Sequence, residues 1–350
     1  LACALTRLGR DQEAHGHYVR ARDLDSMPWR ANTAAREAIV AAGKEGAVLC
    51  DMETAFREAS PGGAIGWDLM DDHVHMSLAG QALFAKTILR TLSSFAGPLH
   101  VDAALVDALV DWPAWAAGMG RSAYTDYVAA ARARSLLGIS FMRRNNEAAY
   151  LRVDRICQSQ LASMSPLDHK ALERWRDPGL HGATERPLTY VVGAYRFEQG
   201  DYATAERLFR TAMTIVPTIS SWRLQLTWYV LLCRRHLVEE PGPEDIRLCG
   251  EAVAIGEMLK QFGHAKEPDV LQYLGLAYNM AGDFEPAIEN LKAAMDASAG
   301  TPSWDSVAAL VDSYVQTGQV SPARALLQRA ARDPGMADRA KRLLSSLPGE

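Results

Sequence analysis

The chain is poor in the features that mark membrane-spanning, nucleic-acid-binding and disulfide-stapled proteins. No stretch of its 350 residues approaches the roughly 18 consecutive apolar residues of a membrane-spanning helix, so no span is expected. There is no surplus of positive charge: 37 lysines and arginines face 42 carboxylates, a formal net charge of −5. That balance gives no support for a nucleic-acid partner, because phosphate backbones select a basic face. One basic cluster exists, Arg143, Arg144, Arg152 and Arg155, but Glu147 and Asp154 are interleaved with it, and it reads as a solvated helix face. Cysteine is sparse and odd in number: Cys3, Cys50, Cys157, Cys233 and Cys249 are scattered without metal spacing. They read as small buried apolar residues, and no cofactor is expected. Aromatics make up 8 % of the chain, and Trp112, Trp115, Trp222 and Trp228 read as packing residues between helices. A leader pattern is lacking, and the compartment stays open.

What is present is a repeat. Gly9, Ala14, Tyr18 and Ala21 lie at offsets 0, +5, +9 and +12 from a glycine, and the same offsets recur at Gly200, Ala205, Phe209, Ala212, at Gly282, Ala287, Leu291, Ala294 and at Gly318, Ala323, Leu327, Ala330. Seven residues before each glycine stands a small or slim residue: Ala2, Gly193, Gly275 and Val311. The spacing predicts two antiparallel helices per unit that cross where small residues allow it, with a glycine turn between them. Each unit buries its apolar face only against its neighbours, so such units come in stacks. This pattern resembles the tetratricopeptide repeat. The best copy runs through Leu271, Leu274, Gly275, Tyr278, Gly282, Phe284, Ala287, Leu291 and Ala294, and residues 221–262 read as a degenerate unit without the glycine. The first copy lacks the stretch of helix that precedes its small residue in the others, and Leu1 is not a methionine. The chain is therefore expected to be a piece of a longer protein.

Between the first and second copies the pattern changes. Residues 31–42 read as a helix capped by Asn32 and stopped by Gly43 and Gly46. Residues 47–50 (Ala-Val-Leu-Cys) form a short apolar run reaching Asp51, which reads as a strand buried on both faces. A Gly/Pro/Ser-rich loop follows over 58–67, and Ser77 is placed to cap a helix over 78–92. Between them lies Asp71-Asp72-His73-Val74-His75-Met76-Ser77. An aspartate three residues before a histidine in a turn can curl its carboxylate onto the imidazole, orienting the ring and stabilising its protonated form. His73 with His75, and His15 with His17, also make H-x-H pairs, but no third ligand accompanies either, and metal is not expected.

The run from Arg30 and Asn32 through the strand, loop, Asp72-x-x-His75 and the glycine-containing helix of Leu78 to Ala85 resembles the end of an SGNH (GDSL-type) hydrolase domain. The resemblance implies a three-layer α/β/α sandwich, of which residues 27–97 would be the carboxyl-terminal remnant, and ester or acyl hydrolysis. It implies His75 as the base that activates a serine and Asp72 as its orienting acid. The nucleophile motif G-D-S and the G-x-N-D asparagine motif are absent from the sequence, and Ser122 in Gly120-Arg121-Ser122 is not the former. The resemblance therefore places the nucleophile and oxyanion hole upstream of Leu1 and implies that residues 1–350 alone are inactive.

The fold expected is mainly α, a tetratricopeptide-like α-solenoid with a partial α/β remnant. Residues 1–26 would be the tail of a repeat unit, 27–97 the hydrolase remnant, 98–187 a helical connector and 188–346 the repeats. Tyr190, Tyr195, Tyr273 and Tyr278 fall on first helices of repeats, which line the concave side of a stack, and mark a groove for a protein or peptide partner. The competing reading is a non-catalytic repeat scaffold.

Overall fold

The computed structural model describes residues 1–25, 31–72, 74–181, 185–298 and 302–347. It divides into two compact units, Leu1–Met119 and Gly120–Glu350. The segment read as a connector is split between them at residue 119.

In the second unit helices stack in antiparallel pairs: Leu188–Glu198 with Tyr202–Ile215, Ser221–Leu237 with Pro243–Leu259, Pro268–Ala281 with Phe284–Ala297, and Trp304–Gln316 with Val320–Ala330, closed by Ala337–Ser346. The glycine turns explain the offsets. Gly9, Gly200, Gly282 and Gly318 all take left-handed backbone, with φ of 71, 77, 84 and 75°, where any other L-residue is disfavoured. In each turn the next residue donates its backbone N–H five residues back: Arg10 to Leu5, Asp201 to Arg196, Asp283 to Tyr278 and Gln319 to Tyr314, at 2.7–3.0 Å. That bond satisfies a carbonyl that the helix end leaves unpaired and fixes the reversal.

The small residue seven before the glycine is there because the residue nine after it fills its space. A Cβ on Gly193 would stand 2.9 Å from the Phe209 ring, and one on Gly275 would stand 2.7 Å from Cγ of Leu291. Phe209, Leu291 and Leu327 are all fully buried at that position. Residues 221–259 do form a helix pair without the turn glycine, and here the close approach lies between units, where Gly256 faces the Leu274 side chain. The stack begins against the Pro166–Trp175 helix: Arg196 donates to the buried Asp168 carboxylate at 2.7 Å, and Asp168 also accepts from the Ser165 N–H in a capping box.

The first unit opens with the Ala2–Arg7 and Asp11–Asp23 hairpin. Ala14 is buried, but Tyr18 is half-buried and Ala21 exposed, unlike their buried counterparts in the later copies. Asn32 caps Thr33–Lys44 as expected, accepting from the Ala35 N–H at 2.9 Å. Arg30 and the 26/27 boundary lie outside the described residues.

The expected buried strand is not there. Residues 47–50 form no ladder, Val48 is 56 % and Leu49 37 % exposed, and among the described residues the β pairing is limited to one antiparallel bridge, Met70 to Met76. A strand is defined by partners for its backbone, and no described segment supplies them. The α/β remnant thus stands corrected to helices and loops, and the fold shown is mainly helical. Asp51 ends no strand either. It caps an unexpected helix, Met52–Ala59, accepting from the Thr54 N–H at 3.1 Å and its hydroxyl at 2.8 Å.

Candidate functional site

Residues Leu69 to Asp72 and Val74 to Ser77 are held face to face by backbone bonds. The Asp71 N–H donates to the His75 carbonyl at 2.8 Å, and the Ser77 N–H to the Leu69 carbonyl at 2.9 Å. Ser77 then caps the Leu78–Leu92 helix, its hydroxyl accepting from the Gly80 N–H. The fold leaves no room at Gly80, where a Cβ would stand 2.1 Å from the Leu69 carbonyl oxygen. Gly80→Ala must push the helix off the loop, at an expected cost of about 1–3 kcal/mol. Urea unfolding checks this, and an unchanged midpoint would show that the contact is slack.

Within this loop Asp72 and His75 meet. One Asp72 carboxylate oxygen accepts the Val74 and His75 N–H groups, both at 2.6 Å, and the other lies 2.7 Å from His75 Nδ1. Burial pushes the Asp72 carboxyl up, but the bonds from the His75 N–H, its ring and the Val74 N–H outweigh it, and the carboxyl is held below its ordinary value. The hydrogen bond that His75 Nδ1 donates to Asp72, together with the charge of the carboxylate, raises the imidazole in turn. An ionised carboxylate only accepts, so Nδ1 carries a proton, and in the neutral ring Nε2 keeps its lone pair. The His75 side chain is 78 % exposed, so this oriented base is open to whatever approaches it. His73 lies outside the described residues, and among those described no group of three His, Cys, Asp or Glu could hold a metal ion.

The tyrosines on the first helices fare differently from one another. Tyr190 packs near Phe209 and Tyr229, with ring centroids 6.2 and 6.0 Å away. Tyr273 is half-buried; burial and the nearby Tyr229 and Tyr190 push its hydroxyl up, while Gln225 pulls it down through a hydrogen bond. Three successive first helices thus bring Tyr190, Tyr229 and Tyr273 together. Tyr195 sits half-buried in the cluster around Leu172 and Leu188. Tyr278 donates to Glu257 at 3.0 Å, and burial followed by that bond pushes its hydroxyl up to about 12. Sequence reading missed Arg186, whose guanidinium lies 5.3 Å from the Tyr190 ring and 5.4 Å from that of Trp222 and donates to Gln225. No local pattern signals it, since Arg186 and Trp222 are far apart in the chain. A separate cavity of about 450 Å3 opens among Lys292, Asp296, Leu310, Tyr314, Pro322 and Arg329.

Residues 278–348 match the tetratricopeptide repeat. The matched stretch holds the Gly282 and Gly318 turns and the closing helix, and antiparallel helix pairs are stacked before it. No curated protein matches the chain. No described helix is long and apolar enough to cross a membrane. The tetratricopeptide tract supports a protein-interaction scaffold.

Proposed function

We propose that the tetratricopeptide stack docks a protein or peptide partner through the face built by its first helices. The observation that carries this reading is the gathering of Arg186, Tyr190, Trp222 and Gln225 around one small depression, beside Tyr229 and Tyr273. Rings offer apolar area at low entropic cost, and a stacked guanidinium with an amide supplies directional bonds, the mixture found at binding hot spots. Panning a displayed peptide library against the whole chain tests it. Enriched peptides are expected to lose binding in Arg186→Ala and Trp222→Ala. Peptides indifferent to both substitutions, or no enrichment, would rule this face out.

A second reading has its own observation. The Asp72 carboxylate on Nδ1 and the exposed ring of His75 are the arrangement of an acid–base pair, and they fit the base half of an SGNH-type ester or acyl hydrolase. No G-D-S motif lies in these 350 residues, so the test uses the full-length reading frame with a short-chain p-nitrophenyl ester. Hydrolysis that disappears in His75→Ala supports the hydrolase. Turnover that survives the substitution, or none at all, leaves the scaffold alone.

A further inference from the structure

The basic cluster of the sequence sits at the end of a helical hairpin. Ala123–Leu137 and Glu147–Ser163 pack along each other and are joined through the short Ser140–Asn145 helix. Residues 132–155 hold six arginines against Glu147 and Asp154, a net +4 inside a chain whose total is −5. Some of that charge is spent internally: Arg134 pairs with Asp154 at 2.7 Å, and Arg132 with Glu185. Arg143 and Arg144 are exposed and have no carboxylate partner among the described residues, and the Arg143 guanidinium lies over the Tyr150 ring, 4.1 Å from its centroid. The same tip leaves large apolar side chains in water, with Phe141 66 % and Leu136 55 % exposed and Ile139 and Leu151 close behind.

We propose that this tip, with Phe141 and Ile139 as inserting side chains and Arg143 and Arg144 as headgroup contacts, binds the surface of an anionic phospholipid bilayer. Charge complementarity selects the anionic partner. The exposed apolar side chains select a bilayer over an acidic peptide: four large apolar side chains left in water beside the arginines need an apolar medium to enter. Apolar side chains at the headgroup–acyl boundary ringed by arginine make such interfacial contacts, in which each basic residue near the surface adds to the affinity.

Co-sedimentation of the whole chain with phosphatidylcholine vesicles, with and without phosphatidylserine, tests the proposal. Binding is expected only with phosphatidylserine and is expected to weaken as salt rises. Arg143→Ala/Arg144→Ala should lower the partition coefficient about thirtyfold at low salt. Phe141→Ala should weaken binding while keeping its salt dependence. Lys44→Ala/Lys266→Ala, the same loss of charge at exposed sites elsewhere, should bind as wild type. Equal binding to neutral vesicles, no binding, or an unaffected arginine double variant would overturn it. So would capture of an acidic, leucine-containing synthetic peptide without any vesicle binding, which would assign the tip to a protein partner.

Discussion

Phe209→Ala is expected to cost about 3–5 kcal/mol of stability, the range for emptying a fully buried aromatic site. Phe209 has no exposed surface and is stacked on Tyr229 with centroids 5.0 Å apart. It also occupies the space that Gly193 leaves by having no Cβ. Neither helix can shift to close the hole, because the Gly200 turn fixes the pair. Gly193→Ala supplies the sharper half of the experiment. In the wild-type background its new methyl meets the Phe209 ring, and the substitution should destabilise. With Phe209 already alanine, that clash is gone and the gain from replacing a mid-helix glycine, about 1 kcal/mol, should show as a stabilisation. Urea midpoints of the four proteins read the sign change. Additive effects would mean that the two positions do not share one space.

Under the proposed hydrolase reading, His75→Ala is expected to reduce ester turnover by the full-length protein about 10²- to 10⁴-fold, the ordinary contribution of a positioned general base. The pH profile carries more information than the loss. Only neutral imidazole can take a proton, and Asp72 raises the imidazole above its reference 6.5. Activity should therefore rise with pH through an inflection above that value. Asp72→Asn should move the inflection down and lower the plateau, since the ring loses its orienting charge. An inflection that does not move would remove Asp72 from the acid's role. The same pair affects stability in a definite window. The histidine contribution is complete below 6.5 and lost as pH rises through the raised folded value. The aspartate contribution is present above 3.8 and lost as pH falls through the lowered one.

Errors of sequence reading fall where partners are remote. Residues 47–50 have the composition of a buried strand, but a strand exists only when another backbone pairs with it, and Val48 and Leu49 are exposed instead. Asp51 was legible as a polar end to that run, yet its actual partners, the N–H and hydroxyl of Thr54, make it a helix cap. The D-x-x-T spacing was the signal for the Met52–Ala59 helix. Tyr190 and Tyr273 were placed on first helices correctly, while their convergence with Tyr229 depends on how three units stack.

The sequence by itself determined the repeat, its glycine turns, the caps at Asn32 and Ser77 and the approach of Asp72 to His75. Each of these is settled by bonds spanning a few residues or by one close contact across a turn, so the order of side chains along the chain is sufficient. The tertiary structure decided that residues 47–50 are not a strand, that Asp168 is buried against Arg196 and that Arg186 stands between Tyr190 and Trp222. It also decided that Arg143 and Arg144 share a hairpin tip with exposed Phe141. Those outcomes rest on which distant surfaces meet and which stay in water, and burial of that kind is a property of the packed chain.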